Sequence, residues 1–326
     1  MRVIVGVDVG GTNIVVGTVT EDGKQVSGIQ RLRTPTGHGA DPVITSIAGA
    51  VNESIGQART VWGEDLEVIG VGIGSPGPID TKRGLVVTSP NLGWTNVPLR
   101  DRVSELVRLP TTLDNDANCA VLGEWWRGAA RGAKVVVGVT VGTGVGGGLV
   151  LDGKIFHGAS DVAGEFGHMT IDSTGRRCAC GNYGCLEAYA SGPAIAKRAT
   201  ESIEAGATST LTQYVDENSS RITAALVYQA ANDGDELALE VVRDTARFLG
   251  AGIANLVNIC NPEIVVLCGG VTSAGEKLFR PLREEVNRRA FRQAAEACRI
   301  VAGELPGTAG VVGAVAAFKL QTTGTT

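Results

Sequence analysis

One arrangement of glycines occurs twice in this chain, and it restricts the fold more than any other feature of the sequence. Residues Val5–Thr12 read V-G-V-D-V-G-G-T, and residues Val137–Gly144 read V-G-V-T-V-G-T-G. In each copy an apolar run breaks at glycine and resumes as a second apolar run. Both second runs end in the same turn signal, Asp-Gly-Lys, at Asp22–Lys24 and Asp152–Lys154. The sequence therefore predicts two similar halves rather than a solenoid, which needs more copies at a shorter period.

Helices and strands are predicted to alternate between these landmarks. Helical spacing of apolar residues and capping residues predict four helices, at Leu99–Leu109, Asp116–Arg127, Glu236–Ile259 and Val311–Leu320. Shorter apolar runs predict strands at Leu66–Gly72, Thr111–Asp114 and Ile264–Leu267. This alternation is typical of an α/β protein. The 326 residues are enough for two domains, each with a core of its own.

Composition and charge argue against several classes of protein. With 43% hydrophobic and 19% charged residues, the chain has the composition of an ordinary globular protein. Its formal net charge of −5 argues against nucleic acid as a partner. The longest apolar stretches are too short and too rich in glycine to span a membrane, so no membrane partner is expected. The N-terminus enters a strand without the pattern of a signal peptide, and we therefore expect a cytoplasmic protein.

The two glycine turns are suited to binding phosphate. Gly10-Gly11-Thr12-Asn13 and Gly142–Gly148 can each bring backbone N–H groups against a phosphate, because glycine permits a tight turn and a close approach. Neither is a Walker loop, since no Gly-Lys-Ser/Thr follows, and neither is a dinucleotide fingerprint, since a strand follows instead of a helix. Either turn alone could be an ordinary hairpin. Two matched copies, with a third glycine pair at Gly269–Gly270, favour a phosphate site.

Three of the seven cysteines lie in one short segment. Together with a nearby histidine they provide the Cys₃His donor set of a closed tetrahedral zinc site, at His168, Cys178, Cys180 and Cys185. Four protein ligands leave no open position, so the metal would be structural. The alternative is three buried or redox-active thiols beside an unrelated histidine, but the density of ligands favours zinc. The other cysteines are interpreted as small buried residues, at Cys119, Cys260, Cys268 and Cys298.

These motifs resemble those of a known superfamily. The glycine hairpins are similar to those of the actin, hexokinase and Hsp70 superfamily, and the chain from Val3 to its closing helix resembles the family of repressors, open reading frames and kinases (ROK). The run Glu165-Phe166-Gly167-His168, Gly175, the cysteine knuckle and Gly184-Cys185-Leu186-Glu187 match the family's signature. The resemblance implies duplicated actin-like (ribonuclease H-like) ATPase domains with a nucleotide and sugar cleft between them. It places the domains at residues 1–115 with 309–326 and at residues 116–308.

The resemblance also implies ATP and Mg²⁺ as cofactors. In the family, Asp8 lies near the magnesium ion, the two glycine turns face the phosphates, and the third glycine pair borders the adenosine. Asp8 could otherwise be an ordinary acid at a strand end, but its place directly before the glycine turn favours the metal role. The residues implied to contact nucleotide or magnesium are Asp8, Gly10, Gly11, Thr12, Asn13, Gly142, Thr143, Gly144, Gly146, Gly269 and Gly270.

Asp116 is the candidate general base. Phosphoryl transfer to a sugar requires a carboxylate that takes the hydroxyl proton, and Asp116 lies in D-N-D-A-N between a strand and a helix. Asn and Asp are also favoured N-caps, so the local sequence alone equally allows a capping role. The resemblance favours the catalytic role and has the zinc-bound histidine touch the sugar. The sugar contacts that it implies are Gly77, Asn91, Asn115, Asp116, Glu165, His168 and Glu187.

The predicted activity is ATP-dependent phosphorylation of a free hexose at its 6-hydroxyl, with glucose preferred. The alternatives are an N-acetylglucosamine or N-acetylmannosamine kinase, a broad-specificity hexokinase, an inactive sugar-binding module and a sugar-responsive repressor. Repressors of the family carry a helix-turn-helix before the first hairpin, which here starts within ten residues of Met1, so that reading is disfavoured. Asp8, Asp116 and both turns are intact, which disfavours an inactive module. The resemblance further implies a homo-oligomer, a dimer or tetramer; His38 and His157 receive no role.

Overall fold

Thirteen strands and eleven α-helices make up the protein, whose computed structural model describes residues 1–326. The strands are β1 (Arg2–Val9), β2 (Asn13–Thr20), β3 (Val26–Arg33), β4 (Glu67–Ser75), β5 (Ile79–Asp80), β6 (Leu85–Ser89), β7 (Trp94–Val97), β8 (Thr111–Asn115), β9 (Val135–Val141), β10 (Val145–Leu151), β11 (Lys154–Ile155), β12 (Ile264–Cys268) and β13 (Arg299–Ala302).

The helices alternate with these strands over most of the chain. They are α1 (Asp41–Trp62), α2 (Leu99–Val107), α3 (Asp116–Arg127), α4 (Glu187–Ala190), α5 (Gly192–Glu204), α6 (Leu211–Tyr214), α7 (Ala224–Asn232), α8 (Glu236–Cys260), α9 (Glu276–Arg289), α10 (Arg292–Ala297) and α11 (Ala309–Thr323). None of them is both long enough and apolar enough to cross a bilayer.

The two large sheets have the same strand order, which confirms the duplication predicted from the glycine repeat. The first runs β3-β2-β1-β4-β8 and the second β11-β10-β9-β12-β13, so each has the order third, second, first, fourth and fifth. In the first sheet β1 is antiparallel to β2 and parallel to β4. In the second, β12 is parallel to β9 and to β13. A separate antiparallel sheet, β5-β6-β7, was not predicted.

Local sequence signals explain where several elements begin and end. The Asp152–Gly153 turn joins β10 to β11 with φ angles of 46° and 80°, the left-handed pair that a two-residue hairpin needs. Helix α3 starts after Asn115, whose side chain accepts N–H bonds of the first turn, and it ends at Gly128 as predicted. Helix α8 begins at Glu236 as predicted, and the side chain of Asp235 is its N-cap.

A row of glycines across the first sheet receives helix α11. Gly17, Gly6 and Gly72 are paired side by side on β2, β1 and β4. A Cβ at Gly6 would lie 2.1 Å from the carbonyl oxygen of Val311, and one at Gly72 would lie 2.0 Å from that of Ala314. Only glycine allows the helix backbone to approach the sheet so closely. The row therefore sets the position of α11.

The opposite face of the same sheet carries the apolar core. Val5 and Val7 alternate with Gly6 along β1, so they point away from α11. They are buried in one cluster with Val43 and Ile47 of helix α1. The sheet is thus covered by α1 on its valine face and by α11 on its glycine face.

The chain folds into two compact units. Unit 1 comprises residues 1–134, 148–164 and 304–326, and unit 2 comprises residues 135–147 and 165–303. The domain division implied by the resemblance, 1–115 with 309–326 and 116–308, places α3 in the second part. In the structure α3 packs mainly on α11, within unit 1. The domain boundaries stay a prediction.

Three of the four scattered cysteines are less buried than predicted. Cys119 is buried, whereas Cys260, Cys268 and Cys298 are only partly buried. Cys260 is the last residue of α8 and Cys268 the last of β12, so both sit at element ends where burial is incomplete.

Candidate functional site

The first glycine turn closes tightly at the end of β1. The N–H of Gly10 donates to the carbonyl of Asn13 at 2.8 Å, and Thr34 donates its hydroxyl to the Gly10 carbonyl at 2.7 Å. A Cβ at Gly11 would lie 3.3 Å from Cβ of Asn91. The structure thus brings the predicted phosphate turn next to Asn91, one of the predicted sugar residues.

Asp8 lies beside this turn in an unfavourable place for a charge. Burial raises the pKa of Asp8 from 3.8 to about 7, with the charge of Asp116 adding to the rise and Arg31 opposing it. Its carboxylate contacts the first turn of α11, where a Cβ at Gly310 would lie 2.3 Å from Oδ2. A helix N-terminus favours a negative charge. Asp8 can therefore hold a cation, and Gly310 makes the room that its carboxylate needs.

Asn115 and Asp116 occupy the junction of β8 and α3. The Asn115 side chain caps the helix, accepting from the N–H groups of Ala117 and Asn118 at 2.9 and 3.1 Å, and donates to the carbonyl of Gly77 at 3.2 Å. The capping role considered for this segment thus belongs to Asn115. Asp116 is the first helical residue, and its Oδ1 accepts from the N–H of Ala117 at 2.8 Å.

The backbone conformation and packing at position 77 require glycine. Its φ is 96°, and a Cβ there would lie 2.1 Å from the carbonyl oxygen of Thr88. Glycine is needed here for the close approach of strand β6 whether or not the residue contacts a sugar.

Sequence reasoning missed a buried network centred on Asp114. The carboxylate is 2% exposed and accepts from the Asn115 N–H at 2.8 Å, the Asn118 amide at 3.2 Å and the Gln321 amide at 3.3 Å. It also contacts His157 Nε2 at 2.9 Å. His157, which received no role from the sequence, is therefore a hydrogen-bond partner of Asp114. The partners lie 43 and 207 residues away, so no local pattern could have shown them. The network fixes the strand end that carries Asn115 and Asp116.

The second glycine turn lies in unit 2. The N–H of Gly142 donates to the Gly144 carbonyl at 2.9 Å, which closes the turn, while Gly142 and Thr143 are exposed. At the end of β12, Gly269 has a φ of 101°, and a Cβ there would lie 2.1 Å from the carbonyl oxygen of Val141. The structure therefore places Gly269 and Gly270 beside the second turn, as two parts of one glycine-lined surface.

The Cys₃His donor set comes together as predicted. Ligand atoms of His168, Cys178, Cys180 and Cys185 all lie within 4.8 Å of one another. Cys180 Sγ and Cys185 Sγ are 3.7 Å apart, and a tetrahedral zinc with Zn–S bonds of about 2.3 Å would place two sulfurs about 3.8 Å apart. His168 Nδ1 lies 3.9 Å from Cys178 Sγ. The donor types, their number and their spacing fit a four-coordinate zinc ion.

Glycines shape the loop that carries these ligands. Gly181 and Gly184 have φ angles of 95° and 71°, and a Cβ at Gly184 would lie 1.6 Å from the carbonyl oxygen of Asp172. The N–H of Cys178 donates to the Asn182 carbonyl at 2.8 Å and closes the knuckle. The chain therefore turns tightly at both glycines.

The remaining predicted sugar residues of unit 2 lie beside the cluster. His168 turns its second ring nitrogen, Nε2, toward Glu165 Oε2 at 3.9 Å. Partial burial raises the pKa of Glu165, with His168 opposing and Glu187 adding to the rise. Glu187 Oε1 lies 3.8 Å from Cys178 Sγ. The structure thus groups Glu165, His168 and Glu187 around one wall of unit 2.

The sequence profile of the ROK family matches residues 4–321. The chain belongs to the ROK family. It is 40% identical over 315 residues to a glucokinase of Halalkalibacterium halodurans, with 96% of this chain and 93% of that protein covered. Among solved structures it is similar to a ROK family glucokinase of Streptomyces griseus in complex with glucose and AMPPNP, with a TM-score of 0.84 and 35% identity over 96% of this chain and 98% of that one.

ROK regulators share the same fold. A ROK family transcriptional regulator, a homologue of the E. coli MLC protein, also has a TM-score of 0.84, with 27% identity over 96% of this chain and 77% of that chain. The fold shared by these proteins is that of the actin-like ATPases, as predicted. Because kinases and regulators superpose equally well, the fold alone does not distinguish the two functions.

Proposed function

We propose that this protein is an ATP-dependent glucokinase, which transfers the γ-phosphoryl group of ATP to the 6-hydroxyl of glucose. The observation that carries the proposal is the near full-length similarity to the Streptomyces griseus glucokinase, whose structure contains glucose and AMPPNP. The 40% identity to the Halalkalibacterium halodurans glucokinase supports it. The acids and glycine turns described above are the groups that this reaction needs.

Asp116 is the general base in this proposal. The hydroxyl oxygen of the sugar bonds to the γ-phosphorus, the bond from that phosphorus to ADP breaks, and the hydroxyl proton passes to the Asp116 carboxylate. The Asn115 cap and the Asp114 network fix the backbone at this point, so the carboxylate is held in place before the sugar arrives. Magnesium, when bound with ATP, neutralises the phosphate charge, and Asp8 is the residue that would hold it.

The sugar is held by the acids and amides already described. Each carboxylate of Glu165 and Glu187 can accept from two hydroxyls, which suits a polyol. His168 offers Nε2 to a sugar hydroxyl while Nδ1 faces the thiols. The proposed contacts from unit 1 are Gly77, Asn91 and Asn115.

The glycine residues carry the nucleotide in the proposal. Backbone N–H groups of the two turns face the phosphates, apart from those of Gly10 and Gly142, which close the turns. The residues assigned are Gly10, Gly11, Thr12, Asn13, Gly142, Thr143, Gly144 and Gly146, with Gly269 and Gly270 against the adenosine.

Zinc is structural in this proposal. The four ligands His168, Cys178, Cys180 and Cys185 leave it no vacancy for substrate, and its binding fixes the ring of His168. Zinc requires deprotonated, reduced thiols, which agrees with a cytoplasmic location. The homo-oligomer implied by the family remains a proposal that light scattering of the purified protein tests.

The Asp116→Asn variant tests the catalytic assignment. The amide cannot take the proton but keeps the shape of the side chain, so turnover should fall by about 10²-fold or more while the Kd for glucose stays within about twofold. Steady-state ADP release and calorimetric titration with glucose measure the two quantities. Turnover close to that of the wild type would remove Asp116 from the mechanism. The Asp216→Asn variant is a matched control, since Asp216 is 88% exposed.

A further inference from the structure

Glu187 joins the Cys₃His cluster to the second glycine turn. Its Oε2 accepts the N–H of Val145 at 2.9 Å, and its Oε1 lies 3.8 Å from Cys178 Sγ. A Cβ at Gly144 would lie 2.5 Å from Oε2, so a larger residue there would displace this carboxylate. One side chain therefore contacts a zinc ligand with one oxygen and the turn with the other.

The chain on both sides of the zinc ligands also packs on this turn. Glu187 opens α4 two residues after Cys185, and just beyond that helix the N–H of Gly192 donates to the carbonyl of Gly142 at 2.8 Å. On the other side, the residue before His168 is Gly167, where a Cβ would lie 1.9 Å from the carbonyl oxygen of Val145. Segments that lead from two of the four ligands thus hold the turn at both of its ends.

We propose that zinc at the Cys₃His cluster sets the affinity for the nucleotide, through Glu187 and the segments that hold the second glycine turn. A glycine-rich turn has many conformations, and fixing one of them costs binding free energy unless the protein has already done so. Zinc holds Cys178 and Cys185 at one separation and thereby fixes the segment that follows Cys185, which carries Glu187 and its hydrogen bond to the turn. This inference rests on the proposed function, in which the turn binds nucleotide phosphates.

Glu187 as a support of the second glycine turn can be distinguished by experiment from Glu187 as a sugar ligand. If Glu187 acted only on sugar hydroxyls, its loss would weaken glucose binding and leave nucleotide binding in the absence of sugar unchanged. If it holds the turn, its loss weakens nucleotide binding without any sugar present. Titration with AMPPNP and Mg²⁺ in sugar-free buffer, by calorimetry, separates these two cases.

Variants of Glu187 with zinc still bound provide the first test. Glu187→Ala should raise the Kd for AMPPNP about tenfold, since it removes a hydrogen bond between a carboxylate and a backbone N–H. Glu187→Gln should stay within about threefold of the wild type, because its amide oxygen can accept the same N–H. Glu284→Ala is the matched control in unit 2, because that carboxylate is exposed and pairs only with Arg280 among the ion pairs of the structure. Metal analysis should find one zinc per chain in all of them.

Removal of zinc provides the second test. Wild type stripped with a chelator and the Cys180→Ser variant should both bind AMPPNP about tenfold more weakly than the loaded protein, with folding checked by circular dichroism. Unchanged AMPPNP affinity in folded, zinc-free protein, or in Glu187→Ala, overturns the proposal. If the zinc-free protein unfolds, the AMPPNP affinity of Glu187→Ala decides whether the proposal holds. If loaded wild type fails to bind AMPPNP at all, the proposed function itself falls, and this inference with it.

Discussion

At the scale of single residues, the charged carboxylate of Asp8 lowers the stability of the folded protein at the place where the site needs a cation ligand. The carboxylate is partly buried, lies near Asp116, and has its pKa raised to about 7. A folded protein without a cation would be more stable if this group were neutral. A divalent cation bound at this point would reverse that preference, which is what the proposed function requires of Asp8.

Asp8→Asn should therefore stabilise the protein in magnesium-free buffer. The folded-state pKa is above the unfolded value of 3.8, so wild type loses stability as the pH rises from about 4 to about 7. The variant lacks this loss, and its advantage should grow over that range to at most about 4 kcal/mol and then level off. Urea unfolding at several pH values measures the difference. An advantage that does not depend on pH would contradict the pKa assigned to Asp8.

His157 should make an opposite contribution to the pH dependence. Burial lowers the pKa of His157, but the hydrogen bond and charge of Asp114, with the charge of Asp161, raise it to a net value above 6.5. Its stabilising contact is fully present below about pH 6.5 and is lost as the pH rises through the folded-state pKa. His157→Gln should remove this dependence, which urea unfolding at several pH values measures. His38→Gln is the matched control, because His38 is exposed.

At the scale of elements, the packing of α11 on the glycine row is the contact most sensitive to substitution. The helix lies on Gly6 and Gly72 of the first sheet and on Gly123 of α3, where a Cβ would meet the carbonyl oxygen of Ala309 at 2.3 Å. In each case the neighbouring atom is backbone, which cannot rotate away as a side chain can. The closing helix and the sheet must therefore move apart if any of these glycines gains a methyl group.

Gly72→Ala should lower the free energy of unfolding by about 1–3 kcal/mol or more. Its Cβ would lie 2.0 Å from the Ala314 carbonyl oxygen. Gly49→Ala is the control, because Gly49 lies within helix α1 with nothing within 4 Å of its Cβ position, and alanine there should stabilise by about 0.5–1 kcal/mol. Equal effects of the two substitutions in chemical denaturation would contradict the close approach of α11.

At the scale of the whole molecule, the duplication could be predicted from the sequence and much of the site could not. The glycine repeat was visible because each copy is local, and the same strand order in both sheets confirms it. The zinc ligands were visible because they lie within a short stretch of chain, and their atoms do come together. The Asp114 network and the link through Glu187 were missed, because each depends on contacts between residues distant in sequence. The small β5-β6-β7 sheet is local, but its strands of 2, 5 and 4 residues are too short to show a clear alternating pattern.

Similarity of the whole chain also explains why the fold does not identify the activity. A glucokinase and a transcriptional regulator match this structure with the same TM-score of 0.84. What a kinase needs in addition is a base, a cation ligand and phosphate turns, and these are the groups assigned here to Asp116, Asp8 and the glycines. The candidate hexoses differ from one another by single substituents, so the preferred hexose depends on the contacts that the pocket makes with those substituents.

The most direct test is the formation of glucose 6-phosphate from glucose and ATP by the purified protein. A coupled assay with glucose 6-phosphate dehydrogenase reports this product alone, and ADP release measured in parallel over mannose, N-acetylglucosamine and N-acetylmannosamine gives the specificity. We expect magnesium-dependent turnover with the highest kcat/KM for glucose, and loss of this turnover in Asp116→Asn. A higher kcat/KM for an N-acetylhexosamine would show that this sugar, and not glucose, is the preferred substrate. No ATP-dependent phosphorylation of any of these sugars by folded, zinc-loaded protein would contradict the claim that the protein is a sugar kinase.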